Sequence, residues 1–176
     1  MGTLYQNLMG AEFGQLAPLL QRFHTELGTE WSGEARITWC KNPLLRAVLG
    51  LARLPKEADR QRITVRVARG EHDETWTRSF GECQMASKQK LQGSHVKESF
   101  GPFALMLDNR IEQGALHQSC SRTGLLGMPL PRWFTFQITA QEWQENERFR
   151  FDVQIGLAHL SLLRYRGWLL PNSLET

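Results

Sequence analysis

The chain has 176 residues, 41% of them hydrophobic and 22% charged, with a net charge of +3 and a pI near 9.0. These values exclude a disordered or low-complexity chain and fit a single domain over 1–176 with a sizeable core. The positive surplus is too small to argue for nucleic-acid binding, and the basic residues are scattered singly rather than gathered in blocks.

The N-terminus has no charged-then-apolar pattern of a secretory leader. It begins MGTLYQ, with Gln6 where a myristoylation signal needs Ser or Thr. No apolar run approaches the roughly 20 residues of a transmembrane helix. Cys40, Cys83 and Cys120 are odd in number and far apart, so reduced thiols in a cytoplasmic protein are expected rather than a disulfide framework.

The first elements are helical with one strand inserted. Thr3 is placed to cap a short helix through Met9, with Gly10 closing it. Pro18 suits the first turn of a second helix running to about Leu27, with Leu16, Leu19, Leu20 and Phe23 as its apolar stripe and Gly28 as its stop. His24 follows Leu20 by one turn and is expected in the core, bonded to a backbone carbonyl. Trp31 to Cys40 reads as a strand that sets Ala35, Ile37 and Trp39 on one face.

Asn42-Pro43 marks another helix start, a capping side chain followed by proline at the first helical position. The amphipathic helix so begun, near 43–54, carries Leu44, Leu45, Val48, Leu49 and Leu51, with Arg46 and Arg53 as its charges, and Pro55 ends it. From Gln61 onward the chain is a succession of strands. RITVRVA and ETWTRSF flank a polar turn at Gly70 to Asp73 and read as a hairpin. Cys83 to Lys90, His95 to Phe100, Pro102 to Leu107 and Ala115 to Arg122 follow. The prolines of Gly124 to Phe134 argue against a regular central strand there. Trp133 to Trp143 then pairs with Phe149 to Leu157, and the last strand covers Leu160 to Leu169.

The clearest alternation is RFRFDVQI, which puts Phe149, Phe151, Val153 and Ile155 on one side and Arg148, Arg150, Asp152 and Gln154 on the other. The expected fold is mainly β (α+β), a curved antiparallel sheet or a closed barrel of about 8–10 strands, since closure removes exposed edges. It carries N-terminal helices and the 43–54 helix. A helix lying in the concave face of an open sheet is the rival arrangement.

Catalytic, metal and cofactor motifs are missing: there is no CxxC pair, HExxH, phosphate loop or GxSxG. His95 and Glu98 fall on opposite faces of one strand, and His117 and Ser119 share a face with no neighbouring acid. More telling are charges on faces that should be buried. Trp76, Arg78 and Phe80 share one side of their strand; Val96, Glu98 and Phe100 repeat the pattern with an acid; Glu142 continues the side of Phe136, Ile138 and Ala140. An unpaired buried charge is costly, so Arg78 is expected to meet a carboxylate, Glu98 first and Glu142 second. The two readings of that pair are an internal register lock and the polar anchor of a ligand cavity.

The ordered set RFH at Arg22 to His24, WTRSF at Trp76 to Phe80, ESFGPF at Glu98 to Phe103, LLGMPLP at Leu125 to Pro131, FRFDV at Phe149 to Val153 and YRGWL at Tyr165 to Leu169 resembles a bacterial family, domain of unknown function 4166. Nearly the whole chain is covered, and ESFGPF and YRGWL are the specific motifs. The resemblance implies a cytosolic accessory domain, found alone or appended to saccharopine-dehydrogenase-like reductases, and so a possible reductase partner. It supplies no activity, cofactor or catalytic residue.

The expected function is therefore non-catalytic: a barrel or half-barrel holding a small apolar or lipid-like molecule. Trp76, Phe80, Phe149, Phe151 and Val153 would form its wall, with Arg78 and Glu98, and in second place Glu142, as polar anchor. A small enzyme using Glu98 or Glu142 as acid or base is the first alternative. An oligomerisation or accessory module is the second. The apolar, arginine-edged segments 44–54 and 124–134 are expected either to cover a barrel end or to dock on a membrane surface or another subunit.

Overall fold

The computed structural model describes residues 2–51, 54–131, 135–157 and 160–172. Helix α1 (Leu4–Met9) is capped as its sequence predicts: Thr3 Oγ1 accepts from Gln6 N–H, and the Gln6 side chain accepts from Thr3 N–H at 2.8 Å. Gly10 ends the helix with a φ of 54°, where a side chain would be strained. A 3-10 segment over Gly10–Gln15 leads into α2 (Pro18–Thr25), which stops two residues short of the expected Leu27. Its Leu20 and Phe23 are buried.

Strand β1 (Glu30–Trp39) follows, then α3 (Pro43–Leu51), whose Leu44 and Leu45 N–H groups both donate to Asn42 Oδ1. The next strands are β2 (Ala58–Arg69), β3 (Glu74–Phe80), β4 (Cys83–Gln92), β5 (His95–Phe100), β6 (Phe103–Glu112) and β7 (Ala115–Leu125). A two-residue β8 (Met128–Pro129) precedes β9 (Phe136–Glu145), β10 (Arg148–Leu157) and β11 (Leu160–Pro171). Strand β2 starts three residues before the expected Gln61, and β6 and β7 run past Leu107 and Arg122. Polar residues at strand ends obscure those limits, because a wet strand end and a loop look alike in sequence. Expectations for the side chains of Val48, Leu49, Leu51 and Arg53, and for Trp133 as a strand start, fall outside the described residues.

Consecutive strands pair antiparallel throughout, except that the short β8 pairs with β7 alone and β9 pairs with β7 across it. Pairing of β1 with β11 and of β6 with β7 closes ten strands into a barrel. Closure decides against the open sheet with a helix in its concave face. The alternation seen in sequence becomes inside and outside. Phe149 and Phe151 point into the barrel, while Arg150, Asp152 and Arg164 lie on the wall outside, where Arg164 pairs with Asp152. An apolar interior and a charged outer wall reverse the arrangement of barrels that span membranes. Among the described residues no helix is long and apolar enough to cross a membrane.

Strand directions put the β1 start, the β2–β3 turn and the β9–β10 turn at one end. There α1 and α2 plug the barrel: Leu4 N–H donates to Glu74 Oε1, Ala17 N–H to Gly114 O, Leu19 N–H to Gln144 Oε1 and Gly28 N–H to Val67 O. Phe23 enters the interior and packs on Phe149 and Trp31, ring centroids 4.3 and 5.0 Å away. At the opposite end, α3 connects β1 to β2 beside the β10–β11 and β7–β8 turns.

A candidate ligand cavity inside the barrel

Between plug and far end the barrel interior holds a partly open cavity of about 380 Å³. Its wall is apolar over most of its area: Leu45 and Leu54 at the α3 end, Phe100, Phe103 and Phe136 beside them, Phe149, Phe151 and Val153 deeper in. Four polar side chains interrupt this wall, Arg78, Glu98, Gln118 and Glu142.

Arg78 projects inward from β3 because Trp76 and Phe80, two residues to either side, take the buried face. Its Nη1 lies 3.4 Å from Glu98 Oε1 and 3.0 Å from Ser87 Oγ, and Ser87 Oγ donates to the same Glu98 oxygen at 2.5 Å. The pair spans β3 to β5 across β4, which supplies Ser87. Side-chain exposures of 18% for Arg78 and 14% for Glu98 place both groups at the cavity surface, neither in bulk water nor sealed in the core. The guanidinium carbon also sits 5.1 Å from the centre of the Trp76 ring. Burial is the largest single influence and opposes the charged guanidinium, but Glu98, Tyr165, Tyr5 and Glu142 together outweigh it and the Arg78 pKa is raised.

Glu142, expected as the second partner of Arg78, is taken by another group. Its Oε2 lies 2.8 Å from His24 Nε2. The expectation of a backbone carbonyl partner for His24 is corrected by the same contact. Helix α2 meets the barrel at β9, so the ring reaches a carboxylate before any free carbonyl. The His24 side chain is fully buried, stacks on Tyr5 at 4.2 Å between centroids, and leaves Nδ1 without a partner.

A third network lies beneath. Tyr5 O–H donates to Gln89 Oε1 at 3.1 Å and accepts from Gln118 Nε2 at 2.9 Å, and Gln118 also donates to Asn109. Burial, reinforced by Glu142, Glu98 and Glu74, pushes the Tyr5 phenol well above its ordinary pKa. Tyr165 is raised too, first by its burial.

Of the residues expected to form a site, Trp76, Arg78, Glu98, Glu142, Phe149 and Phe151 all line the cavity. Phe80 is buried behind the wall instead, edge-on to Tyr165 at 5.4 Å. His95 turns outward to Asp108, away from Glu98, and His117 and Ser119 lie on an outer groove with Asp152 and Arg164. Sequence reasoning missed Ser87, Gln89 and Gln118, because MASKQK and LHQSC are polar on both strand faces and give no parity signal. Glu74 shares the strand side of Trp76 and Arg78 and is buried, a position the sequence reading did not single out. Cys40 and Cys120 are free thiols, and among the described residues no cluster of His, Cys, Asp and Glu is arranged to hold a metal.

Large apolar side chains stand exposed at the α3 end of the barrel: Leu44 at 77%, Leu126 at 75%, Met128 at 68% and Leu160 at 56%. They belong to α3, the β7–β8 turn with β8 itself, and the start of β11, elements at the end of the barrel where Leu45 lines the cavity.

Among solved structures, the chain is similar to a protein of unknown function from the DUF3598 family of Nostoc punctiforme. That match has 15% identity and a TM-score of 0.53, covering 84% of this chain and 47% of that one. It therefore spans about half of the Nostoc protein. The chain is also similar to Rv2717c from M. tuberculosis, at 12% identity and a TM-score of 0.50, covering 89% of this chain and 99% of that one. At these identities the likeness is one of fold. Comparison with curated proteins finds no match. The family model described as Domain of unknown function (DUF4166) matches residues 16–169, which takes in the barrel strands, α2 and the cavity wall, and the chain belongs to that family.

Proposed function

We propose that this barrel is a binding domain for a small apolar, lipid-like molecule held in the interior cavity. One observation carries the reading: about 380 Å³ of space walled by aliphatic and aromatic side chains, with an Arg78–Glu98 pair at its surface. Ligand sites are concave and mostly apolar, with a few placed polar groups that orient the ligand, and this volume lies toward the small end of their range. The apolar part of the molecule lies against Phe149, Phe151 and Val153, and its polar end against Arg78 and Glu98. Access runs past α3 and the exposed leucines of the rim, which would also be the part to touch a lipid surface.

The test is titration with a neutral, environment-sensitive apolar fluorophore, alongside native mass spectrometry of the purified protein. Saturable binding is expected, lost in Ala140→Phe, which fills the cavity between Ile138 and Glu142. Equal binding by the filled variant would reject the cavity as the site.

An acid–base role for Glu142 has one observation in its favour, the contact with His24. That ring is fully buried and stacked on Tyr5, so it holds the carboxylate without reaching a bound molecule itself. The pair reads better as a clamp between plug and barrel than as a proton relay.

A further inference from the structure

The charges around the cavity do not balance. Glu98 and Glu142 lie on its wall, and Glu74 is buried behind Tyr5 at 4% exposure. Against these three carboxylates stands the Arg78 guanidinium, the cavity-lining cation among the described residues. His24 is bound to Glu142, and even if protonated it would leave one carboxylate uncompensated. Arg78 is itself already engaged, with Nη1 directed at Glu98 and Ser87. The ordinary arrangement for a bound carboxylate is an inward cation without a counterion. Here the counterion is built into the wall.

On the acceptor side the unfilled hydrogen-bonding capacity has the matching sign, while Trp76 Nε1–H is an unpartnered donor of the same wall. Arg78 and Ser87 both address Oε1 of Glu98, and His24 addresses Oε2 of Glu142. Among the described contacts the second oxygen of each carboxylate receives no donor, and each belongs to a residue on the cavity wall. An ionised carboxylate is an acceptor only, so what it can take from a ligand is a proton donor. At Tyr5, after burial itself, the carboxylates Glu142, Glu98 and Glu74 oppose ionisation, whereas at Tyr165 Arg78 favours it ahead of the opposing Glu98 and Glu142.

Resting on the reading of this cavity as a ligand site, we propose that it selects molecules whose polar end donates hydrogen bonds, a hydroxyl or an ammonium group on an apolar chain, and discriminates against free carboxylates. A hydroxyl can donate to Glu98 or Glu142 while accepting from Arg78. An ammonium group supplies the missing positive charge. A carboxylate head must approach two like charges in a site of low polarity, which is strongly unfavourable.

The experiment displaces the neutral apolar fluorophore with decanol, decylamine and decanoate at neutral pH, in the wild-type protein and in Glu98→Gln. Decanol and decylamine are expected to compete at concentrations at least about tenfold below decanoate. Alcohols are also driven in by their lower solubility, so the deciding quantity is the ratio between ligands. In Glu98→Gln, Arg78 loses its counterion and decanoate should gain about tenfold relative to decanol. Glu142→Gln, which keeps a hydrogen bond to His24, is the second variant if the first does not fold. A larger loss for decylamine than for decanol identifies the ammonium as the preferred head, and equal losses identify the hydroxyl. Wild-type protein preferring decanoate, or ratios unmoved in both variants, would overturn the proposal while leaving the cavity reading intact. Failure of the neutral fluorophore to bind at all would overturn both.

Discussion

Arg78 occupies a position that an apolar residue would ordinarily fill, between Trp76 and Phe80 on the inner face of β3. What makes the charge tolerable is the Glu98 carboxylate 3.4 Å away, the Ser87 hydroxyl that bonds to both, and the Trp76 ring under the guanidinium. Removing one member should cost more than removing both. Arg78→Met leaves Glu98 on the wall without its cation and should lower unfolding stability by about 2 kcal/mol, the cost of an uncompensated polar group at a partly buried site. Arg78→Met combined with Glu98→Leu should recover much of that loss. Chemical denaturation of the two single variants and the double variant measures the coupling, and additive losses would show that the pair is not an energetic unit.

At the scale of elements, the strands differ in how much of their role is visible locally. Strand β10 alternates without interruption, so its faces follow from spacing alone. Strand β11 does not, because Gly167 stands where a large inward residue is due between Tyr165 and Leu169. The structure supplies the reason. A Cβ on Gly167 would run into the Glu34 carbonyl oxygen of β1, and one on Gly33 would run into that of Trp168. The β1–β11 seam is so tightly coiled that neither strand can carry a side chain there, and it is one of the two pairings that close the barrel. Gly167→Ala should therefore lower stability by about 1–3 kcal/mol or more, as overpacking does. Thermal melts can decide this: an unchanged midpoint would mean that the seam relaxes without cost. Such a seam is not visible in one strand, since the obstruction comes from backbone more than 100 residues away in sequence.

For the whole molecule, closure and plugging make the interior a single cooperative unit, and the chain's two tyrosines report on it. Both are buried, and both phenols are raised above their ordinary pKa. In the unfolded chain a tyrosine begins to ionise near about pH 10. The folded protein keeps its protons above that point, so it binds more protons than the unfolded chain and stability falls as pH rises. The contribution is fully present below the unfolded value and is lost on the way to the folded one. Phenolate absorbance is therefore expected to stay flat through pH 10 and then to rise together with loss of the near-ultraviolet dichroism of the core. A gradual phenolate signal in a protein with intact dichroism would show that the plug opens locally around Tyr5.

The parity of apolar residues was enough to place nearly every strand and to turn Trp76, Arg78 and Glu98 inward, and capping residues were enough to start α1 at Thr3 and α3 at Asn42, since each of these depends on neighbours within a few positions. It also singled out Arg78 and Glu98 as partners, because a charge on a dry face needs an opposite one. Tertiary structure alone decided that the sheet closes, that Glu142 belongs to His24 and not to Arg78, that Ser87 backs the Arg78–Glu98 pair, that Gln118 joins the polar wall, and that Phe80 lies behind it. The division has a physical origin. Strand character and facing are set by backbone geometry repeating every two residues, whereas register, closure and the choice among several buried partners are set by contacts between segments far apart in the chain.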